Sequence, residues 1–143
     1  MEEYRENKFE NCFSVLYDRY KSVRRMRRDG SCFYRAFLFQ FFEHLITTTH
    51  NRDLLDRVRI ITADSKEDLM INAGYEEEAI QDFFDVFQST VNNLERVEPS
   101  QAQDYLMKLL CDPEKSNYLI IYIRWLTACY LKKNAALYEG FIG

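Results

Sequence analysis

Cys32 has the setting of a nucleophile. It follows Asp29-Gly30-Ser31, and Asp-Gly marks a tight turn. After it comes Phe33 to Ile46, an apolar stretch without Gly or Pro, which predicts a long helix with Cys32 in its first turn. A helix N-terminus carries unpaired N–H groups and partial positive charge, and both favour thiolate over thiol. The same N–H groups can stabilise an oxyanion on an attacked carbonyl. Thiol chemistry of this kind also needs an imidazole within hydrogen-bond reach. On position alone, a buried structural cysteine capping a core helix is the commoner reading.

The elements that must hold Cys32 can be read from periodicity. Phe9, Phe13, Leu16 and Tyr20 predict a helix over residues 5–20, and residues 22–27 suggest a short strand before the turn. The helix from Cys32 runs to about residue 48. Phe37, Leu38, Phe39, Phe41, Phe42 and Leu45 make it apolar almost all round, hence central and buried. Asn51 offers an N-cap for a helix through Ile61. Ser65 offers another for a short helix that Gly74 ends as a C′ residue. From Glu76, one apolar face (Ile80, Phe83, Phe84, Phe87, Val91, Leu94) predicts a long helix stopped by Pro99. Residues 101–110 predict a further short helix. Pro113 suits the start of a last long one, to about residue 132, whose Tyr118–Leu131 portion is apolar all round.

Composition narrows the class. The chain has 143 residues, enough for one domain with a core; it is 47% hydrophobic and has four Gly and two Pro, which argues for a mostly helical globule. The net charge of −4 gives no reason to expect a nucleic acid partner. The five basic residues between Lys21 and Arg28 read as a solvated edge. No apolar run reaches the length of a membrane helix, and Met-Glu-Glu-Tyr-Arg-Glu is no signal-peptide core. A cytoplasmic or nuclear location is expected. The cysteines Cys12, Cys32, Cys111 and Cys129 are irregularly spaced without a Cys-x-x-Cys pair, so no metal site is expected and all should be free thiols. Cys12 and Cys129 read as packing residues, and Cys111, just before Asp112-Pro113, as inert.

The nonapeptide Asp29-Gly30-Ser31-Cys32-Phe33-Tyr34-Arg35-Ala36-Phe37 resembles the nucleophile motif of the otubains. These are a branch of the ovarian-tumour (OTU) class of deubiquitinating cysteine proteases, whose pattern is Asp-Gly-Asn-Cys-Phe-Tyr-Arg-Ala-Phe. The match is eight of nine residues, with Ser31 in the asparagine place. Asp64–Leu69, Ile80–Phe83, Asn117–Arg124, Leu126–Leu131 and Tyr138–Ile142 are similar to otubain segments too. The resemblance implies an α/β OTU cysteine-protease-like domain, of which residues 1–143 would be a single incomplete unit: mainly α-helical, with the C-terminal strand-rich part missing. It also implies that Asp29 and Cys32 belong to the catalytic centre, with Gly30 and Ser31 shaping the turn and its oxyanion donors. The implied activity is hydrolysis of isopeptide bonds to ubiquitin or polyubiquitin by a thiol nucleophile, without cofactor.

The catalytic histidine of otubains lies near the C-terminus, in a Gly-His-Tyr context, and no such segment is present. Of the two histidines, His44 lies 12 residues past Cys32 on the same predicted helix, about 18 Å along its axis. His50 is farther on. Glu43 and Asp53 read as ordinary exposed carboxylates. The chain is therefore expected to be inactive alone, with a non-catalytic ubiquitin- or partner-binding helical protein as the alternative. Some otubains inhibit ubiquitin-conjugating enzymes through a long N-terminal arm, but here only about 30 residues precede the motif. A domain lacking its sheet would also expose Phe141, Ile142 and one side of Tyr118–Leu131.

Overall fold

In the computed structural model, the backbone of residues 10–48 and 52–142 is described, with side chains for 15–48 and 53–141. Among the described residues, seven α-helices follow in chain order: α1 (Glu10–Arg19), α2 (Cys32–Thr47), α3 (Arg52–Asp68), α4 (Glu77–Asn93), α5 (Ala102–Cys111), α6 (Pro113–Lys133) and α7 (Ala135–Ile142). A π-helical turn, Leu69–Ala73, continues α3, and 3₁₀ turns at Leu94–Arg96 and Pro99–Gln101 lead from α4 to α5. Helix α4 packs along α6, α2 lies against α5, and α3 lies against α4.

Helices α2, α4, α5 and α6 bury a stripe that their sequences make apolar, whereas Val15 and Leu16 of α1 and Leu137 of α7 are exposed. Helix α2 contributes Leu38, Phe39, Phe42, Leu45 and Ile46 to the core; α4 contributes Ile80, Phe84, Phe87 and Val91. Leu106, Leu109 and Leu110 come from α5, and Leu119, Ile120, Tyr122 and Ile123 from α6. Phe87 joins two of these layers, with its ring 6.2 Å from Phe42 and 5.1 Å from Tyr122. At the start of α6, Asp112 accepts from the N–H groups of Glu114 and Lys115 at 3.0 Å, and Pro113 takes the first helical position.

Three expectations need correction. Residues 22–27 form no strand, and no strand occurs among the described residues. Val23 is exposed, while Arg24 lies over the Phe39 ring at 3.6 Å and faces Glu43, so the segment is pinned by side chains rather than by a ladder. Ser65 caps nothing: α3 runs through it to Asp68. Its hydroxyl donates to the Thr62 carbonyl at 2.6 Å and meets the Tyr122 hydroxyl at 2.7 Å, a tertiary contact that overrides the local cap signal. Helix α2 is not buried all round, since Phe33 is 70% and Phe37 49% exposed. Helix α6 buries one side only, with Tyr130 and Leu131 exposed, as expected of its Tyr118–Leu131 portion. Phe141 is exposed as expected, and the Ile142 side chain lies outside the described residues.

Gly74 does end the α3–π segment, in the left-handed region at φ 77°, with its N–H on the Leu69 carbonyl. The expected start of the first helix, the Asn51 cap, His50 and the side chains of Cys12 and Phe13 lie outside the described residues.

Candidate active site

Cys32 is the first residue of α2, and its side chain is exposed. It stands there because the chain bends at residues 28–30. Gly30 sits at φ 74°, where a side chain would be strained. Asp29 Oδ1 accepts from the Ser31 N–H at 3.0 Å, closing the turn two residues on. Ser31 is the N-cap residue, but its side chain makes no capping hydrogen bond.

Arg35 holds the other oxygen of Asp29. Its Nε and Nη2 donate to Asp29 Oδ2 at 3.0 and 2.6 Å. Nη1 also donates to the Leu110 carbonyl at 3.2 Å, and Nη2 to Asn117 Oδ1 at 3.3 Å. Only 3% of Arg35 is exposed. The Arg35 hydrogen bond is the main cause that holds the Asp29 carboxyl below its usual range; the Ser31 N–H acts in the same direction.

Both carboxylate oxygens of Asp29 are thus committed to holding the turn. Because Asp29 takes the Ser31 N–H, the donors left for an oxyanion are those at the helix start. The N–H groups of Cys32, Phe33 and Tyr34 have no carbonyl within their own helix to bind.

No described imidazole approaches Cys32. His44 lies in the last turn of α2, exposed, with Nδ1 3.2 Å from Thr48 Oγ1. Cys111 is exposed at the end of α5. Cys129 is buried on α6 with its Sγ 3.6 Å from the Asp68 carbonyl, and burial is the main cause that pushes its thiol up. Among the described residues no group of His, Cys, Asp and Glu could hold a metal ion, and no helix is long and apolar enough to cross a membrane.

The structure therefore brings Asp29, Gly30, Ser31 and Cys32 together on one turn. Sequence reasoning gave Arg35 and Asn117 no role. A usable signal existed for Arg35: an arginine inside an apolar helix is buried only with partners.

Beside the turn, α2 carries an exposed aromatic column. The Phe33 and Phe37 rings stack at 6.5 Å and those of Phe37 and Phe41 at 5.7 Å, nearly parallel.

Comparison with known proteins gives this arrangement a context. The family model described as Peptidase C65 Otubain matches residues 1–143. The human protein named ubiquitin thioesterase OTUB1 is 35% identical over 137 residues, which are 96% of this chain and 48% of that protein. The ovarian tumor domain-containing deubiquitinating enzyme 1 of Arabidopsis thaliana is 31% identical over 90% of this chain and 42% of its own length. Human ubiquitin thioesterase OTUB2 is 28% identical over 89% of this chain and 51% of its own length. The chain spans about half the length of the curated relatives it matches.

Proposed function

The chain belongs to the otubain family, peptidase C65, and from that premise we propose that it carries the nucleophile part of a site that hydrolyses bonds to the C-terminus of ubiquitin. The single observation that carries the reading is Cys32, exposed at the start of α2 on a turn closed by Asp29. In the proposed step the Cys32 thiolate attacks the carbonyl carbon of the isopeptide bond. The carbon–nitrogen bond breaks, the amine leaves with a proton from a general acid, and a thioester to ubiquitin remains. Water then releases the acid and restores the thiol. The helix-start N–H groups face the charge that develops on the attacked carbonyl.

The proton donor is proposed to be an imidazole from outside the described residues, because His44 lies about 18 Å along the helix from Cys32. The column formed by exposed Phe33 and Phe37 and half-buried Phe41 fits a place for the strand-rich part of an otubain domain to pack. These 143 residues are accordingly proposed to bind ubiquitin and present a reactive thiol while turning over little by themselves.

The test is a ubiquitin probe with an electrophilic C-terminus. It should label Cys32, and Cys32→Ala should abolish the adduct while Cys12→Ala, Cys111→Ala and Cys129→Ala leave it. Di-ubiquitin cleavage should stay near background, since general acid–base help is typically worth about 10²–10⁴-fold. Labelling that survives Cys32→Ala would remove the nucleophile assignment. Robust cleavage abolished by His44→Ala would show that the imidazole was sought in the wrong place. A folded chain that never reacts with the probe, yet binds ubiquitin, would favour the non-catalytic binding reading.

A further inference from the structure

We propose that Arg35 is a positioning residue for Cys32: it locks the nucleophile turn from inside the fold and ties it to the junction of α5 and α6. The proposal rests on reading Cys32 as the nucleophile.

Four hydrogen bonds radiate from this one buried guanidinium, and they fall into two groups. Nε and Nη2 converge on Asp29 Oδ2, which leaves Oδ1 free to take the Ser31 N–H at 3.0 Å. Ser31 is the residue next to Cys32. The other two bonds reach 75 and 82 residues down the chain, to the Leu110 carbonyl and Asn117 Oδ1. Leu110 is in the last turn of α5, where carbonyls have no helical N–H to accept from. Asn117 is one turn into α6. The path therefore runs from the α5–α6 junction through Arg35 and Asp29 to the backbone that sets the Cys32 thiol.

Stability alone gives a weak reason for this device. A buried ion pair is often replaceable by apolar residues of similar volume without loss. What an apolar side chain cannot do is fix Asp29 in one rotamer with one oxygen aimed at Ser31. A lysine could reach one of the acceptors but could not span Asp29, Leu110 and Asn117 together, since only the planar fork presents donors in several fixed directions.

The experiment uses the 143-residue chain and two reagents. Iodoacetamide, with N-acetylcysteine as reference in the same tube and site-resolved mass spectrometry, reads Cys32 directly and needs no ubiquitin. The electrophilic ubiquitin probe reads presentation to the proposed substrate. In Arg35→Met, Asp29 is left at a part-exposed site and can be rehydrated, so helicity by circular dichroism should be kept.

Iodoacetamide labelling of Cys32 should fall toward the N-acetylcysteine rate in that variant. Probe labelling should fall by about 10²-fold, the usual cost of misplacing a reacting atom by about 1 Å. Arg35→Lys should recover only part of this. Arg35→Met combined with Asp29→Asn should be no slower than either alone, because both cut the same path. Should Arg35→Met fail to fold, Asp29→Asn and Asn117→Ala carry the same test, with Asn117→Ala giving a smaller loss.

Folded variants that keep the parent's Cys32 rate with both reagents would overturn the proposal. So would additive losses in the double variant. A probe inert toward the parent chain, with the iodoacetamide pattern intact, would count against the ubiquitin reading and leave Arg35 as the positioning residue of a different thiol chemistry.

Discussion

Two buried serines should respond to the same substitution with opposite sign. The Ser65 hydroxyl has one proton, and it goes to the Thr62 carbonyl, which can only accept. The Tyr122 hydroxyl must therefore donate to Ser65 across their 2.7 Å contact. Tyr122 is fully buried, and that burial is the main cause that pushes its hydroxyl above its ordinary value. Ser65→Ala removes the acceptor and orphans the Tyr122 O–H. That costs about 1–3 kcal/mol, offset by at most about 0.5 kcal/mol of better helix propensity. Ser116 is also fully buried, but its Oγ has no hydrogen-bond partner among the described residues. Ser116→Ala removes a hydroxyl whose desolvation nothing offsets, and should stabilise by about 1 kcal/mol.

The two variants should thus differ by about 1.5–4 kcal/mol. At a urea dependence of about 2 kcal/mol per M, that separates their midpoints by roughly 0.75–2 M. Combining Ser65→Ala with Tyr122→Phe should recover most of the loss, since removing both partners leaves no orphan. Equal midpoints for the two alanine variants would refute the reasoning. So would a double variant that loses the sum of its parts.

Acid should weaken the fold through two carboxylates. Asp29 is lowered from 3.8 mainly by its Arg35 hydrogen bond, and Asp68 from 3.8 mainly by its Lys133 hydrogen bond. A depressed carboxylate stabilises the fold fully above its unfolded value and less as pH falls through the folded one. Urea midpoints should therefore be flat down to about pH 5 and then drop. Asp29→Asn should shrink that drop; an unchanged acid slope would remove Asp29 as a contributor. On the exposed aromatic column, Phe33→Ser with Phe37→Ser should leave the urea midpoint nearly unmoved, within about 0.5 kcal/mol, and should reduce self-association in sedimentation. A large loss of stability would mean that the column is packed in solution.

What could be read from the sequence was what local chemistry decides. Asp112-Pro113 starts α6 and Gly74 closes the π turn because a cap, a fixed φ and a left-handed residue act within one turn. The placement of Cys32 at the start of α2 followed from Asp-Gly and the apolar run behind it. What failed depended on partners distant in the chain. Ser65 carries every local mark of an N-cap, yet its hydroxyl is taken by Tyr122, 57 residues on, and α3 continues through it. Arg35 was visible as a charge in an apolar helix, but its role lies with Leu110 and Asn117. The periodicity of α2 marks Phe33 and Phe37 as apolar without saying that nothing described covers them.

The one departure from the nine-residue pattern, Ser31, gains a definite meaning from this geometry. A serine in an asparagine's place invites the question of whether the turn is weakened. The turn, however, takes nothing from that side chain: Ser31 contributes its N–H to Asp29 and its carbonyl to the Arg35 N–H, and both are backbone groups. Its hydroxyl caps neither. The conformation that presents Cys32 is therefore set by Gly30, which permits it, and by Asp29 and Arg35, which hold it. All three agree with the family pattern, and the residue that differs is the one whose side chain the turn does not use. Ser31→Ala should therefore leave the urea midpoint nearly unmoved, and a large loss of stability would show that the turn does depend on that hydroxyl.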